Sequence, residues 1–228
     1  MSNPSFTWPA GKSSAIMVAE NAISDDVCDL FVNNLALHSS KLFSPGPVLG
    51  GVIPSVKNSM DFSWSEETLL AENIQSDVLI SCESEIARNV WAVIQSYRES
   101  FRWLWEWPGL CDTGFRIQHY ARGNGFYREH VDGSPGDMST QERVLGAIVY
   151  LNSVEAGGET FFREHDIYVS AKRGSVALFP ATWTHPHQGM IPISNDKWII
   201  STFINASVSA VDLNNQNVIA VTGNEDLL

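Results

Sequence analysis

The chain has 228 residues, 44% hydrophobic and 18% charged, which suits a globular chain with a substantial core. Its net charge of −12 argues against a general phosphate-binding surface, so nucleic acid is not an expected partner. No run of 18 apolar residues occurs, so no membrane-spanning helix is expected, and the N-terminus lacks the basic-then-apolar pattern of a secretory signal. Cys28, Cys82 and Cys111 are scattered and form no CxxC pair, so they read as reduced thiols of a cytoplasmic protein.

Residues 1–15 read as a loose or edge segment. Ser24 followed by Asp25 and Asp26 predicts a helix start, and Val27, Leu30, Phe31 and Leu35 recur at helical spacing. Residues 44–51, Ser-Pro-Gly-Pro-Val-Leu-Gly-Gly, predict a loop. The longest helix is expected over 74–104, with Ile86, Val90, Ile94, Tyr97 and Phe101 forming its core-facing stripe. Trp103, Trp105 and Trp107 alternate just after it and are expected to be buried by packing.

From residue 114 the pattern turns to strands. Phe115–Tyr120 alternates, Val144–Leu151 is a near-continuous apolar run, and Glu159–Phe162, Ser175–Phe179 and Trp198–Ile204 follow, punctuated by Gly, Pro, Asn and Asp. Helices followed by strands predict an α+β chain, mainly β in its core, with helices packed against a two-sheet sandwich. A helical support region over 1–110, a core over 111–205 and a polar tail over 206–228, either an edge strand or mobile, are expected within a single domain of 228 residues.

His130-x-Asp132 carries the chemistry. Residues two apart on a strand share a face, so this imidazole and this carboxylate can reach one metal from a strand end. A second histidine must come from elsewhere in the sheet. Thr184-His-Pro-His-Gln-Gly189 follows the apolar run ending at Pro180 and offers both His185 and His187, again two apart. Two imidazoles and one carboxylate on one face of a metal are the set used by non-haem Fe(II) oxygenases. Lys197 lies ten residues beyond His187.

These segments together resemble the prolyl 4-hydroxylase-like branch of the 2-oxoglutarate- and Fe(II)-dependent dioxygenases. The matching stretches are Tyr120–Asp132, Arg143–Asn152, Gly157-Gly-Glu-Thr160, Gly174–Pro180 and His187–Lys197. The resemblance implies a double-stranded β-helix, a relative of the jelly roll, with supporting N-terminal helices. It implies His130, Asp132 and His187 as metal ligands, His187 being preferred over His185 because His187-Gln-Gly189 and Lys197 match the family spacing. It implies that Lys197 pairs with the distal carboxylate of 2-oxoglutarate, that Tyr150 also reaches that carboxylate, and that Tyr120 lines the cosubstrate pocket. Arg143 matches an arginine associated with substrate handling. Pro192, Asn195 and Phe203 depart from the family pattern of a proline one residue earlier, a glycine and a tryptophan.

The activity so implied uses Fe(II), 2-oxoglutarate and O2, with ascorbate as an accessory, to hydroxylate an unactivated C–H bond. A prolyl residue in a peptide or protein is the expected substrate. A free amino acid or another small molecule is the alternative, as is a non-catalytic binding protein on the same scaffold. Lys197 and Tyr150 argue against an isomerase of the cupin type or a cysteine-type dioxygenase.

Overall fold

The computed structural model describes residues 4–74, 77–101, 104, 109–133 and 143–206. In chain order the first half contains β1 (Ser5–Thr7), β2 (Met17–Glu20), α1 (Asp25–Leu37), α2 (Ser39–Leu42), β3 (Ser44–Pro45), β4 (Lys57–Asn58), β5 (Met60–Ser63), α3 (Glu66–Ala71) and α4 (Asp77–Ser100). The second half contains β6 (Leu110–Asp112), β7 (Arg116–Tyr120), β8 (Phe126–His130), β9 (Arg143–Tyr150), β10 (Thr160–Phe162), β11 (Ile167–Val169), β12 (Val176–Pro180), β13 (His187–Gly189) and β14 (Lys197–Ala206). Among the described residues the strands form two antiparallel sheets, a double-stranded β-helix. The major sheet runs β1-β2-β12-β9-β14-β7-β5-β3, with β6 also on β14, and the minor sheet runs β11-β10-β13-β8-β4.

Side-chain alternation splits the interior into two cores. On β9, Leu145, Ala147 and Val149 face the helices, while Ile148 and Tyr150 face the minor sheet. On β12, Val176 and Leu178 face the helices, and Ala177 and Phe179 the minor sheet. The helix-side core takes Phe31 and Leu35 from α1 and Ile86, Val90, Ile94 and Tyr97 from α4. The helices thereby back one face of the major sheet, and the other face is left to close over the minor sheet.

The expected helix start at Ser24 is present, where the Oγ accepts from the Val27 N–H at 3.4 Å. The longest helix is shorter than its apolar pattern suggests, at Asp77–Ser100. Asn73, at φ +53°, ends α3. The Ile74 N–H donates to the Leu69 carbonyl and the Asn73 N–H to that of Leu70, a Schellman closure that excludes Ile74 from α4 although it is buried. Phe101 lies beyond the helix and packs with Tyr97 at 4.8 Å between ring centroids. Trp103, Trp105, Trp107 and the 207–228 tail lie outside the described residues. The N-terminal half is also less helical than its pattern suggests: β2 pairs with β12, and β5 with β7, inside the major sheet. No helix among the described residues is long and apolar enough to cross a membrane.

Gly174 ties the N-terminal strand to this sheet. Its N–H donates to the Tyr150 carbonyl and its own carbonyl accepts from the Ile23 N–H. Its φ is +73°, and a Cβ would lie 2.2 Å from the Ile23 carbonyl oxygen. We expect Gly174→Ala to destabilise the fold by about 2 kcal/mol, read as a lowered denaturation midpoint with an unchanged slope.

Candidate metal centre

The antiparallel pairing of β8 with β13 places His130 directly opposite His187. Asp132 follows two residues beyond His130, just past the end of β8. The three side chains each bring one ligand atom within 4.8 Å of the others. His130 Nε2 lies 3.5 Å from Asp132 Oδ1, and His187 Nε2 lies 3.7 Å from Asp132 Oδ2. Both imidazoles are oriented from behind. His130 Nδ1 is 2.8 Å from the Arg128 carbonyl and His187 Nδ1 is 3.1 Å from the His185 carbonyl. A carbonyl only accepts, so each Nδ1 carries the proton and each Nε2 lone pair is turned toward the gap, as metal binding requires. His185 is not part of the group. Its Nε2 donates to the Ser14 carbonyl at 2.8 Å, and its ring stacks on His165.

Packing fixes the remaining freedom. Tyr127 stacks on His130 with ring centroids 3.6 Å apart, and Phe179 meets His187 edge-on at 4.8 Å. Gly146 makes room for the carboxylate, because a Cβ there would lie 2.7 Å from Asp132 Oδ2. Burial depresses the His187 pKa to about 4, against a smaller opposing pull from Asp132. Burial also resists ionisation of Asp132, but His187 and His130 outweigh it and hold the carboxyl below its usual range. Near neutral pH the site therefore presents a neutral imidazole beside a carboxylate, a donor set that suits a divalent cation.

These groups line one end of a cavity that continues to Lys197. Lys197 is 2% exposed, and its Nζ lies 5.7 Å from the Tyr120 ring centroid and 5.5 Å from that of Tyr150. Burial lowers its pKa to about 8, with Glu159 pulling weakly the other way. The Tyr150 hydroxyl pairs with Thr160 Oγ1 at 2.7 Å, and the Tyr120 hydroxyl donates to Gln118 Oε1 at 2.7 Å. Arg143 sits at the outer rim, where it donates to the Asp132 carbonyl at 2.8 Å and lies 3.8 Å from the Phe203 ring centroid. Its sequence neighbour Glu142 lies outside the described residues. Asn195 needs none of a glycine's freedom: the non-glycine residues with positive φ among those described are Ala15, Asn21, Asn73 and Asp166. Its amide instead donates to the Ser153 carbonyl at 2.9 Å.

Sequence reasoning missed several lining residues. Arg116 and Gln118 are two of them, and they share one face of β7 with the expected Tyr120, a period-two signal. Lys57 and Asp61 form a buried ion pair of 2.6 Å between β4 of the minor sheet and β5 of the major sheet. Only tertiary pairing reveals it.

The His187 environment sets a pH dependence. Its folded pKa lies below the unfolded value near 6.5, so the unfolded chain binds more protons between those values. Stability contributed by the neutral ring is present above pH ~6.5 and is lost as pH falls toward ~4. We expect a loss on the order of 3 kcal/mol across that window in the metal-free protein. Chemical denaturation at several pH values checks it, and His187→Gln should flatten the slope.

Residues 115–205 match the family described as the 2OG-Fe(II) oxygenase superfamily. No curated protein matches the chain in sequence. Among solved structures, a viral collagen prolyl hydroxylase from Paramecium bursaria Chlorella virus-1, in its 2OG complex, is similar at a TM-score of 0.60 and 19% identity, over 85% of this chain and 97% of that one. A prolyl hydroxylase from Trichoplax adhaerens, in complex with a hypoxia inducible factor oxygen degradation domain peptide fragment, is similar at 0.65 and 14% identity, over 87% of each chain. A Pseudomonas putida prolyl-4-hydroxylase is similar at 0.59 and 14% identity, over 85% of this chain and 94% of that one. At these identities the likeness is one of fold. Taken with the match over β7 to β14, it gives the chain the double-stranded β-helix fold, with a core from 115 to 205 that is similar to the 2OG-Fe(II) oxygenases.

Proposed function

We propose that the chain is an Fe(II)- and 2-oxoglutarate-dependent hydroxylase acting on a prolyl residue of a peptide or protein. The observation that carries the reading is the convergence of His130, Asp132 and His187 on one cavity whose far end holds Lys197. Iron bound by these three residues, with 2-oxoglutarate and O2, supplies oxidation of a C–H bond. The chain's own groups do the rest. His130 and His187 present Nε2 donors, and Asp132 supplies the negative charge. Lys197 receives the distal carboxylate of 2-oxoglutarate, Tyr150 turns its hydroxyl from Thr160 to assist, and Tyr120 walls the pocket. Phe179 and Ile199 line the cavity, keep it apolar and exclude water.

Arg143 and Phe203 at the rim support a substrate entering from the opposite side, where a guanidinium's several fixed donors suit a peptide carbonyl. The prolyl hydroxylase neighbours, one holding a peptide, support the substrate class. Ascorbate belongs to the proposal as an accessory reductant only. A cytoplasmic location completes the reading, supported by the free thiols of Cys28, Cys82 and Cys111.

The test is succinate release coupled to the gain of one oxygen atom, with proline-containing peptides and free L-proline offered separately. His187→Ala should abolish metal-dependent turnover, whereas His185→Ala should retain most of it. Oxygen gain only on an unrelated small molecule would overturn the prolyl assignment and leave the hydroxylase reading standing.

Lys197 gives an independent check. A dianion arriving beside a lysine titrating near 8 favours its charged form, so binding must take up protons as pH approaches and passes that value. The affinity for 2-oxoglutarate should therefore fall as pH rises from 7 to 9. Calorimetry in buffers of different ionisation enthalpy measures the uptake. Lys197→Arg should remove the pH dependence, and Lys197→Met should weaken 2-oxoglutarate more than about tenfold while iron still binds.

A further inference from the structure

Beyond the metal site the cavity opens outward between the 47–49 loop, β7, β8 and β14. This chain carries a net charge of −12, yet among the described residues the outer cavity is lined by three cations, Lys57, Arg116 and Arg143, and by one acid, Asp132. Asp132 belongs to the metal site. A neighbouring carboxylate, Asp61, is already engaged on both oxygens: Oδ2 accepts from Lys57 Nζ at 2.6 Å, and Oδ1 from Ser59 Oγ at 2.7 Å. Arg116 Nη1 stands 3.9 Å from Asp61 Oδ2, too far for a hydrogen bond. Among the described residues the Arg116 guanidinium makes no side-chain hydrogen bond, and it is 40% exposed. Two cations thus share one carboxylate, and a planar fork of donors is left facing the cavity.

Strand register sets where that fork lies. On β7 and β14 the inward positions pair in rows: Tyr120 with Lys197, Gln118 with Ile199, and Arg116 with Ser201. Arg116 is therefore four strand positions from the Lys197 row, about 13 Å along the sheet. His130 and Asp132 line both the inner cavity that holds Lys197 and the outer one that holds Arg116. The candidate metal site lies where the two cavities meet, with Lys197 on one side and Arg116 on the other.

Resting on the proposed function, we infer that Arg116 is a specificity-determining residue that binds a carboxylate of the substrate hydroxylated at this site. The fork matches a carboxylate in two parallel hydrogen bonds, and Lys57 keeps Asp61 occupied. The carboxylate has two sources, the α-carboxylate of a free or C-terminal residue and an acidic side chain beside the target residue. Either one holds its C–H bond toward the metal while 2-oxoglutarate occupies the inner end.

Binding is measured by calorimetry without oxygen, on protein loaded with Fe(II) and saturating 2-oxoglutarate. The probes are L-proline and N-acetyl-L-proline with their amides, and proline peptides flanked by Asp or Asn. We expect at least one carboxylate probe to bind about tenfold tighter than its neutral partner. Arg116→Met should erase that difference, Arg116→Lys should keep part of it, and 2-oxoglutarate binding should not change. Ser201→Asp, which places a carboxylate opposite Arg116, should erase the difference without removing the arginine. A preference within the proline probes assigns the α-carboxylate, and one within the peptides assigns a flanking acid. Equal binding of every carboxylate and its neutral partner overturns the inference, as does a preference that survives Arg116→Met. Failure of iron or 2-oxoglutarate to bind defeats the proposed function instead, and the carboxylate preference is then read on the metal-free protein.

Discussion

The register between β8 and β13 is the constraint on which the rest of the site depends. His187 opposite His130 puts two imidazoles on the interior of the minor sheet. A slip of one residue would turn Gln188 inward and His187 away, because strand side chains alternate. The apolar partners resist that slip. Phe162 pairs with His187 across the β10–β13 edge, and its buried ring packs against Phe179 of the opposite sheet. The hydrophobic contact that closes the sandwich thus also holds the metal donors in place, and the backbone carbonyls of Arg128 and His185 fix which nitrogen faces inward.

The major sheet divides its two faces between different tasks. Toward the helices, β14 presents Ile200 and Ile204, and β9 presents Leu145, Ala147 and Val149, which bury apolar area and supply stability. Toward the minor sheet, the same strands present Lys197, Tyr150 and Ser201. Charge inside a sandwich is costly unless partnered. Lys57 and Asp61 partner each other across the two sheets, so that pair links the layers next to the site. Gly46 lets the preceding loop close over them, since a Cβ there would lie 2.3 Å from Ser59 Oγ.

Much of this was legible in the sequence because it is periodic. The alternation of Phe115–Tyr120 and the apolar run of Val144–Leu151 became β7 and β9 within a residue or two. His130 and Asp132 were legible as a pair because strand geometry makes them neighbours. The choice of His187 over His185 needed family spacing, and the structure separates the two by giving His185 a backbone partner at Ser14. The N-terminal strands were not legible. Met17–Glu20 is four residues long, too short for its apolar run to declare a period, and its partner β12 lies more than 150 residues later. In β5, Asp61 occupies an inward position and breaks the apolar signal, and only Lys57 beside it in space explains why an acid is tolerated there. Local pattern finds elements that bury oil on one face. It does not find those whose inward face is polar because it serves a cavity.

The two proposed carboxylate receptors differ in chemistry for a reason their positions supply. Lys197 is buried among Tyr120, Tyr150 and the apolar wall, and among the described residues it has no ion-pair partner. An unpaired ammonium there destabilises the empty protein. Under the proposed function the arriving dicarboxylate offsets that penalty, so binding tightens the fold as well as filling the inner site. An arginine in that place would stay charged whatever surrounded it. Arg116 stands nearer solvent, where desolvation is slight and a lysine would be a mobile point charge. The guanidinium fork instead offers two parallel donors at fixed spacing, which orients a carboxylate rather than merely attracting it. Orientation is what a hydroxylase needs from its substrate contacts, since the C–H bond presented to the metal decides which carbon is oxidised. The inner end can therefore be selective for charge, and the outer end for geometry.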